Sequence, residues 1–184
     1  MSKADTARTT YESARSELIS RLQLRDNVLL IYLGAVGTLL GVALGTSVRP
    51  EMLIAIPYVA VGIALLLAQH HSAIGALLHF CTGELSEFLR ELNPSEDAPQ
   101  WDNSKTAKRY ASASMLQRSL GHVIVLVLPC VAALWVNIGH AIHLKSTNGI
   151  LWWGACIATI LTFLLILSTH SFRKMINKEL NWRD

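Results

Sequence analysis

The sequence predicts an all-α, polytopic membrane protein: four transmembrane helices extended into a cytoplasmic helical bundle. Three observations predict it. Only 16% of the 184 residues are charged and 52% are hydrophobic, whereas soluble domains carry about 25% charged residues. The charges also come in blocks. No Asp, Glu, Lys or Arg occurs from Val28 to Val48, from Met52 to Gly83, from Ser119 to Leu144, or from Ser146 to Phe172. Finally, each run continues at its charged end into a stretch with helical apolar spacing. About 20 apolar residues rising 1.5 Å each cross a hydrocarbon core of about 30 Å, so four uncharged runs predict four spans, near 28–48, 52–71, 120–140 and 150–170.

The loop charges set the threading. Lys3, Arg8, Arg15, Arg21 and Arg25 precede span one. Arg90, Lys105, Lys108, Arg109 and Arg118 separate spans two and three, and Arg173, Lys174, Lys178 and Arg183 follow span four. Of the 16 Lys and Arg residues, only Arg49 and Lys145 are left for the two short connections opposite. Because basic residues beside spans are retained inside, both termini are expected in the cytoplasm and the protein in the cytoplasmic (inner) membrane. The polar stretch before span one does not have the form of a cleaved signal.

Span one contains "GAVGTLLGVALG", which sets Gly37, Gly41 and Gly45 on one helix face with Gly34 offset. Small residues at that spacing let helix backbones approach in lipid, the neighbour being another span of this chain or a second copy. Its extension, 8–27, carries Tyr11, Ala14, Leu18, Leu22 and Arg25 on a narrow stripe with Ile19 alongside. Span two starts outside at Pro50 and reaches the inner interface near His70 and His71. Its extension, 72–92, repeats Ile74, Leu77, Leu78, Cys81, Leu85, Phe88, Leu89 and Leu92 at helical spacing, with Glu84, Glu87, Arg90 and Glu91 on the other faces. The breaker stretch "NPSEDAP" ends it and opens the loop 93–103. A third extension, 104–119, starts at an Asn103 or Ser104 cap, and a fourth, 171–182, carries Phe172, Met175, Ile176 and Leu180. Mixed charge on the polar faces favours a bundle beneath the membrane over helices lying flat on anionic lipid. Pro57 and Pro129 are expected to kink spans two and three, and Tyr58, Trp152 and Trp153 to form an outer aromatic belt. Cys81, Cys130 and Cys156 read as small core residues, not as disulfides or metal ligands.

One polar layer emerges from this threading. Asp26, Asn27, Gln69, His70, His71, His122 and His170, with Ser168 and Thr169, fall at one depth near the inner interface. Imidazoles titrate near neutral pH and bind metals and headgroups, so the layer is either a proton-sensitive or lipid-binding collar or a set of interfacial anchors. His140 and His143, three apart near the outer end of span three, lack a carboxylate or cysteine to complete a metal site. Trp101 and Asp102, in "APQWDNSK", mark a candidate partner contact or a self-docking tryptophan. With no ionisable Asp, Glu, Lys or Arg in any span and no phosphate, nucleophile or metalloprotease motif, no catalytic residue, metal or cofactor is expected, nor any direct contact with nucleic acid.

In length, in four runs with both ends inside, and in helices projecting into the cytoplasm, the chain resembles the small four-span membrane proteins of bacterial anti-phage defence operons, such as the membrane subunit of Kiwa-type systems. The resemblance covers the whole chain and includes no diagnostic motif. It implies a homo-oligomeric component that senses envelope disturbance and docks a soluble effector. Immunity proteins against pore-forming toxins share the size and span count. The expected function is therefore a non-enzymatic scaffold or sensor that self-associates in the bilayer and recruits a cytoplasmic protein. A pore or small-molecule permease with a His-lined inner mouth, or an immunity protein, are the alternatives.

Overall fold

A computed structural model describes residues 3–45, 49–92, 104, 115–143 and 145–181, with the backbone alone for 115, 116, 118 and 170–181. The fold is all-α, with no strand among the described residues. The helices are α1 (Lys3–Ala43), α2 (Ala55–Thr82), α3 (Glu84–Leu92), α4 (Met115–Val136) and α5 (Thr147–Asn181), with 3-10 turns at Pro50–Ile54 and Ile138–Ile142. Four stretches, Lys3–Ala43, Pro50–Leu92, Ser119–Val136 and Thr147–Thr169, are long and apolar enough to cross a membrane.

The predicted extensions are continuations of the same helices. α1 runs unbroken for 41 residues, since no Pro or Gly interrupts Lys3–Leu33. Its exposed face is laced by Arg8–Glu12 and Glu17–Arg21 pairs of 2.9 and 3.1 Å. The Glu12 carboxylate raises the Arg8 guanidinium further above its ordinary range. Such exposed i,i+4 pairs, screened by water, support the helix only weakly. The inward face carries Ala7, Leu18, Val28, Tyr32, Val36 and Ala43, all buried. Ile19, expected alongside this stripe, is instead 49% exposed.

α2 does not run straight to the breaker stretch. It stops at Thr82, because Gly83 leaves helical geometry (φ −99°, ψ −92°), and α3 restarts at once. The ladder is stitched across the break by Gly83 N–H to the His79 carbonyl (2.8 Å) and Glu87 N–H to the Gly83 carbonyl (3.0 Å). α3 then turns Leu85 into the protein, where it packs beside α1. Phe88, expected on the same face, stays 41% exposed. Of the 104–119 extension only Ser104 and the first turn of α4 are described, and α5 continues through the fourth extension to Asn181.

α2, α4 and α5 contact one another, and α1 packs on α2. Small residues are prominent in the centre: Ala60, Ala64, Cys130, Ala133, Ala155, Ala158, Thr159 and Thr162 are all buried, beside Tyr32, Ile56, Leu67 and Leu126. Many large aliphatics point outward, including Leu30, Ile31, Leu65, Ile124, Leu128, Ile157 and Ile160. A water-soluble bundle would reverse this order, because water drives large apolar surface inward. In lipid that drive is absent, and helices associate by close packing of small side chains.

The buried hydroxyls stay within the backbone. Thr159 and Thr162 donate to the Ala155 and Ala158 carbonyls at 2.8 and 2.9 Å. Tyr32, fully buried on α1, donates to the Leu126 carbonyl of α4 at 3.2 Å, and the Cys130 thiol donates to the same oxygen at 3.0 Å. Pro129 lies inside α4 and withdraws one backbone donor there. Pro57 is only the third residue of α2. In a first turn its missing N–H removes no bond within α2, which corrects the expected kink in span two.

The end of the bundle that carries the two short connections is tied by side chains. The Asn137 amide donates to Pro50 and Ala133 carbonyls at 2.8 and 2.9 Å. Ser146 caps α5, accepting from Gly149 N–H at 3.0 Å. The aromatics do more than form a belt. Tyr58 donates to Leu151 O (2.8 Å), Trp152 to Leu134 O (3.0 Å) and Trp153 to Ala141 O (3.2 Å). Both indoles thereby satisfy carbonyls released where α4 and the following 3-10 turn end. α4 ends at Val136, so His140 falls in that 3-10 turn and His143 beyond it, not on a common α-helical face. The three cysteines are free, Cys81 and Cys130 buried.

Candidate functional site

The end of the bundle that the loop charges assign to the cytoplasm, called here the inner end, holds the polar layer. Two of its members meet. His71 on α2 is 94% buried, at 6% exposure, and its ring stands edge-on to His122 of α4, with centroids 5.5 Å apart and planes at 90°. The spacing of the two residues within their helices produces this. His71 follows Leu67 by four positions and Ala64 by seven, which keeps it on the buried face of α2. His122 precedes Leu126 and Cys130 by four and eight, on the buried face of α4. Two neutral imidazoles in this arrangement attract, because a ring edge is positive and a ring face negative.

The other members do not join them. Asp26 and Asn27 are exposed, and Asp26 instead holds Arg25 at 2.6 Å. Gln69 is exposed as well. These three face away from the His71–His122 contact, as interfacial anchors would: a 100° step per residue turns Asn27 and Gln69 away from the face that Val28 and His71 occupy. His70 is half-buried, and its Nδ1 is enclosed with no hydrogen-bond partner among the described residues. Ser168 is exposed and Thr169 half-buried, and both hydroxyls bond back to the Leu165 carbonyl at 2.9 and 2.8 Å. The side chain of His170, and Trp101 and Asp102 entirely, lie outside the described residues. Among the described residues no three His, Cys, Asp or Glu side chains are grouped to hold a metal ion.

The glycine face points away from the bundle. Gly34, Gly37 and Gly41 are exposed, and a Cβ added at any of them would meet nothing within 4 Å. Gly45 lies beyond the end of α1 at Ala43 and does not share the helical stripe. Close packing inside the chain instead uses Gly154, where a Cβ would overlap the Tyr58 hydroxyl. The reading of these glycines as contacts between spans of one chain is thereby corrected: α1 meets α2 through Val28, Tyr32 and Val36, on its other side.

A groove of about 430 Å³ runs beside the N-terminal half of α1, lined by Tyr11, Arg15, Ile19 and Gln23 among others. Sequence reasoning missed Tyr32, Asn137 and the Ala155–Thr162 seam. A tyrosine or asparagine in an uncharged run, and small residues three and four apart, were the available signals. No protein-family model, curated protein or solved structure matches the chain.

Proposed function

We propose that this protein is a non-enzymatic membrane scaffold or sensor that self-associates through the outward glycine face of α1 and recruits a cytoplasmic protein to its helical extensions. The observation carrying it is the unfilled small-residue face at Gly34, Gly37 and Gly41 on a helix that packs on its own chain through the opposite side. Lipid gains nothing from such a face, whereas a second backbone approaching it gains dispersion contacts along several turns. The mixed-charge extension of α1 supplies the partner surface, and the resemblance to defence-operon membrane proteins makes a soluble effector the partner expected. The bilayer is the inner membrane, with both termini inside.

A pore through one copy is disfavoured by packing. Tyr32, Ala60, Leu126, Cys130, Ala155 and Thr162 are fully buried in the centre of the bundle, and such filled interiors leave no water path.

Replacing Gly41 with Ile tests self-association. Because the added side chain has open space within the chain, the variant is expected to melt as the wild type does. It should run as a smaller species by mass photometry in detergent, with about tenfold or greater loss of association, the effect of roughly 1.4 kcal/mol. An oligomer of unchanged size would remove this face from the interface.

A further inference from the structure

We propose that α4 is a hinged helix whose bend at Pro129 is set by α1, through the Tyr32 hydroxyl. The device belongs to the single chain and stands independently of the self-association and recruitment proposed above.

Pro129 lies inside α4, near the middle of the span Ser119–Val136. It offers no N–H to the Val125 carbonyl four residues back, and its ring crowds that carbonyl, so the turn between them opens. In water a loosened turn would be hydrated. Hydrocarbon supplies no such donor, and a proline break in a spanning helix depends on nearby side chains. The turn opened here receives two. The Leu126 carbonyl, next to that of Val125, accepts from the Cys130 thiol at 3.0 Å and from the Tyr32 hydroxyl at 3.2 Å. The thiol is a weak donor and belongs to α4, so it moves with the hinge. Tyr32 belongs to another helix and can hold the hinge in place.

The packing sets Tyr32 for this role. α1 lies on α2, and the backbones of α1 and α4 stay apart along most of their lengths. A long, fully buried side chain therefore carries α1 to α4. The half of α4 beyond Pro129 has ties of its own. Trp152 of α5 donates to the Leu134 carbonyl at 3.0 Å, and the Asn137 amide donates to the Pro50 carbonyl at 2.8 Å. Leu126 precedes Pro129 and Leu134 follows it, so α1 and α5 hold opposite sides of the break. A displacement of α1 relative to α5 is delivered to the joint between them.

The test uses full-length protein in aligned phosphatidylcholine bilayers, labelled with ¹⁵N-valine and ¹³C′-leucine. Val123, Val125 and Val127 precede Pro129, Val131 and Val136 follow it, and Leu126–Val127 is the one Leu-Val pair in the sequence. The ¹⁵N–¹H couplings of these valines give the direction of each half of α4, and the pair isolates the Leu126 carbonyl signal. Tyr32→Phe keeps the ring and removes the donor. It is expected to move the carbonyl signal upfield and to change the angle between the halves by about 10° or more, where a sharp kink is about 20°. In a Pro129→Ala background α4 has no joint, so Tyr32→Phe should move the carbonyl signal alone. Unchanged couplings in Tyr32→Phe would overturn the proposal, and so would an equal change of angle with and without Pro129. Should Tyr32→Phe fail to fold, Pro129→Ala decides. An angle altered by that substitution supports the hinge, and an unaltered one leaves α4 with no bend for Tyr32 to set.

Discussion

Replacing Gly154 with Ala is expected to lower the stability of the membrane domain by about 2–3 kcal/mol. A Cβ there overlaps the Tyr58 hydroxyl, so the ring, 41% exposed, must shift and give up its 2.8 Å bond to the Leu151 carbonyl. Overpacking a tight contact costs about 1–3 kcal/mol, and losing the bond adds about 1 kcal/mol. For a chain of this size that lowers the melting temperature by roughly 5–10 °C. The cause is tested by combination. In a Tyr58→Phe background the obstructing oxygen is gone, so Gly154→Ala should cost less than half as much. Additive effects in the double variant would mean that Tyr58 does not cross α5 at Gly154.

Leu85→Asp has the other large expected effect. Leu85 is 6% exposed where α3 packs beside α1, so an aspartate there buries a carboxylate. The nearest basic residue of α3, Arg90, is solvent-exposed. The cost is about 3 kcal/mol or more. Phe88→Asp replaces a ring that is 41% exposed and should change stability by less than about 1 kcal/mol. Melting curves of the two variants in one detergent give the comparison. Equal losses would place Phe88 in the packed face and contradict the turn at Gly83.

The architecture was readable because a bilayer imposes long-range regularity on a sequence. Uncharged runs of fixed minimum length and the one-sided distribution of Lys and Arg are global patterns, and neither depends on knowing which residues touch. Facing was harder. The stripe through Leu18 was visible, since helical spacing alone defines it, yet Ile19 and Phe88 were included because apolar character does not distinguish a packed position from an exposed one. Gly83 was not recognised as a break because glycine within a helical pattern is often tolerated. In the spans the usual inference from size fails. Leu and Ile occur on both sides, with Leu126 and Ile56 buried and Leu128 and Ile157 exposed, and Ala, Thr and Cys are buried among them.

The polar layer illustrates the same limit. Depth along each helix follows from counting residues, and it placed His71 and His122 together. Rotation about each helix axis depends on which neighbours are present, and it sent Asp26, Asn27 and Gln69 outward. The glycine stripe was readable as a packing motif, but periodicity carries no information on whether the partner belongs to the same chain. Its position on the outward side of α1 follows from Tyr32 reaching Leu126, a contact between residues 94 apart in sequence.

The central claim is a four-span chain with all four helical extensions and the loop after α3 on one side of the bilayer. Single cysteines at three exposed positions, Arg8, Arg90 and Lys145, test it in a background with Cys81, Cys130 and Cys156 replaced by alanine. Intact spheroplasts are treated with a membrane-impermeant maleimide. Lys145→Cys should label directly, and Arg8→Cys and Arg90→Cys only after the membrane is permeabilised. Labelling of Lys145→Cys on the same side as Arg8→Cys would contradict the account.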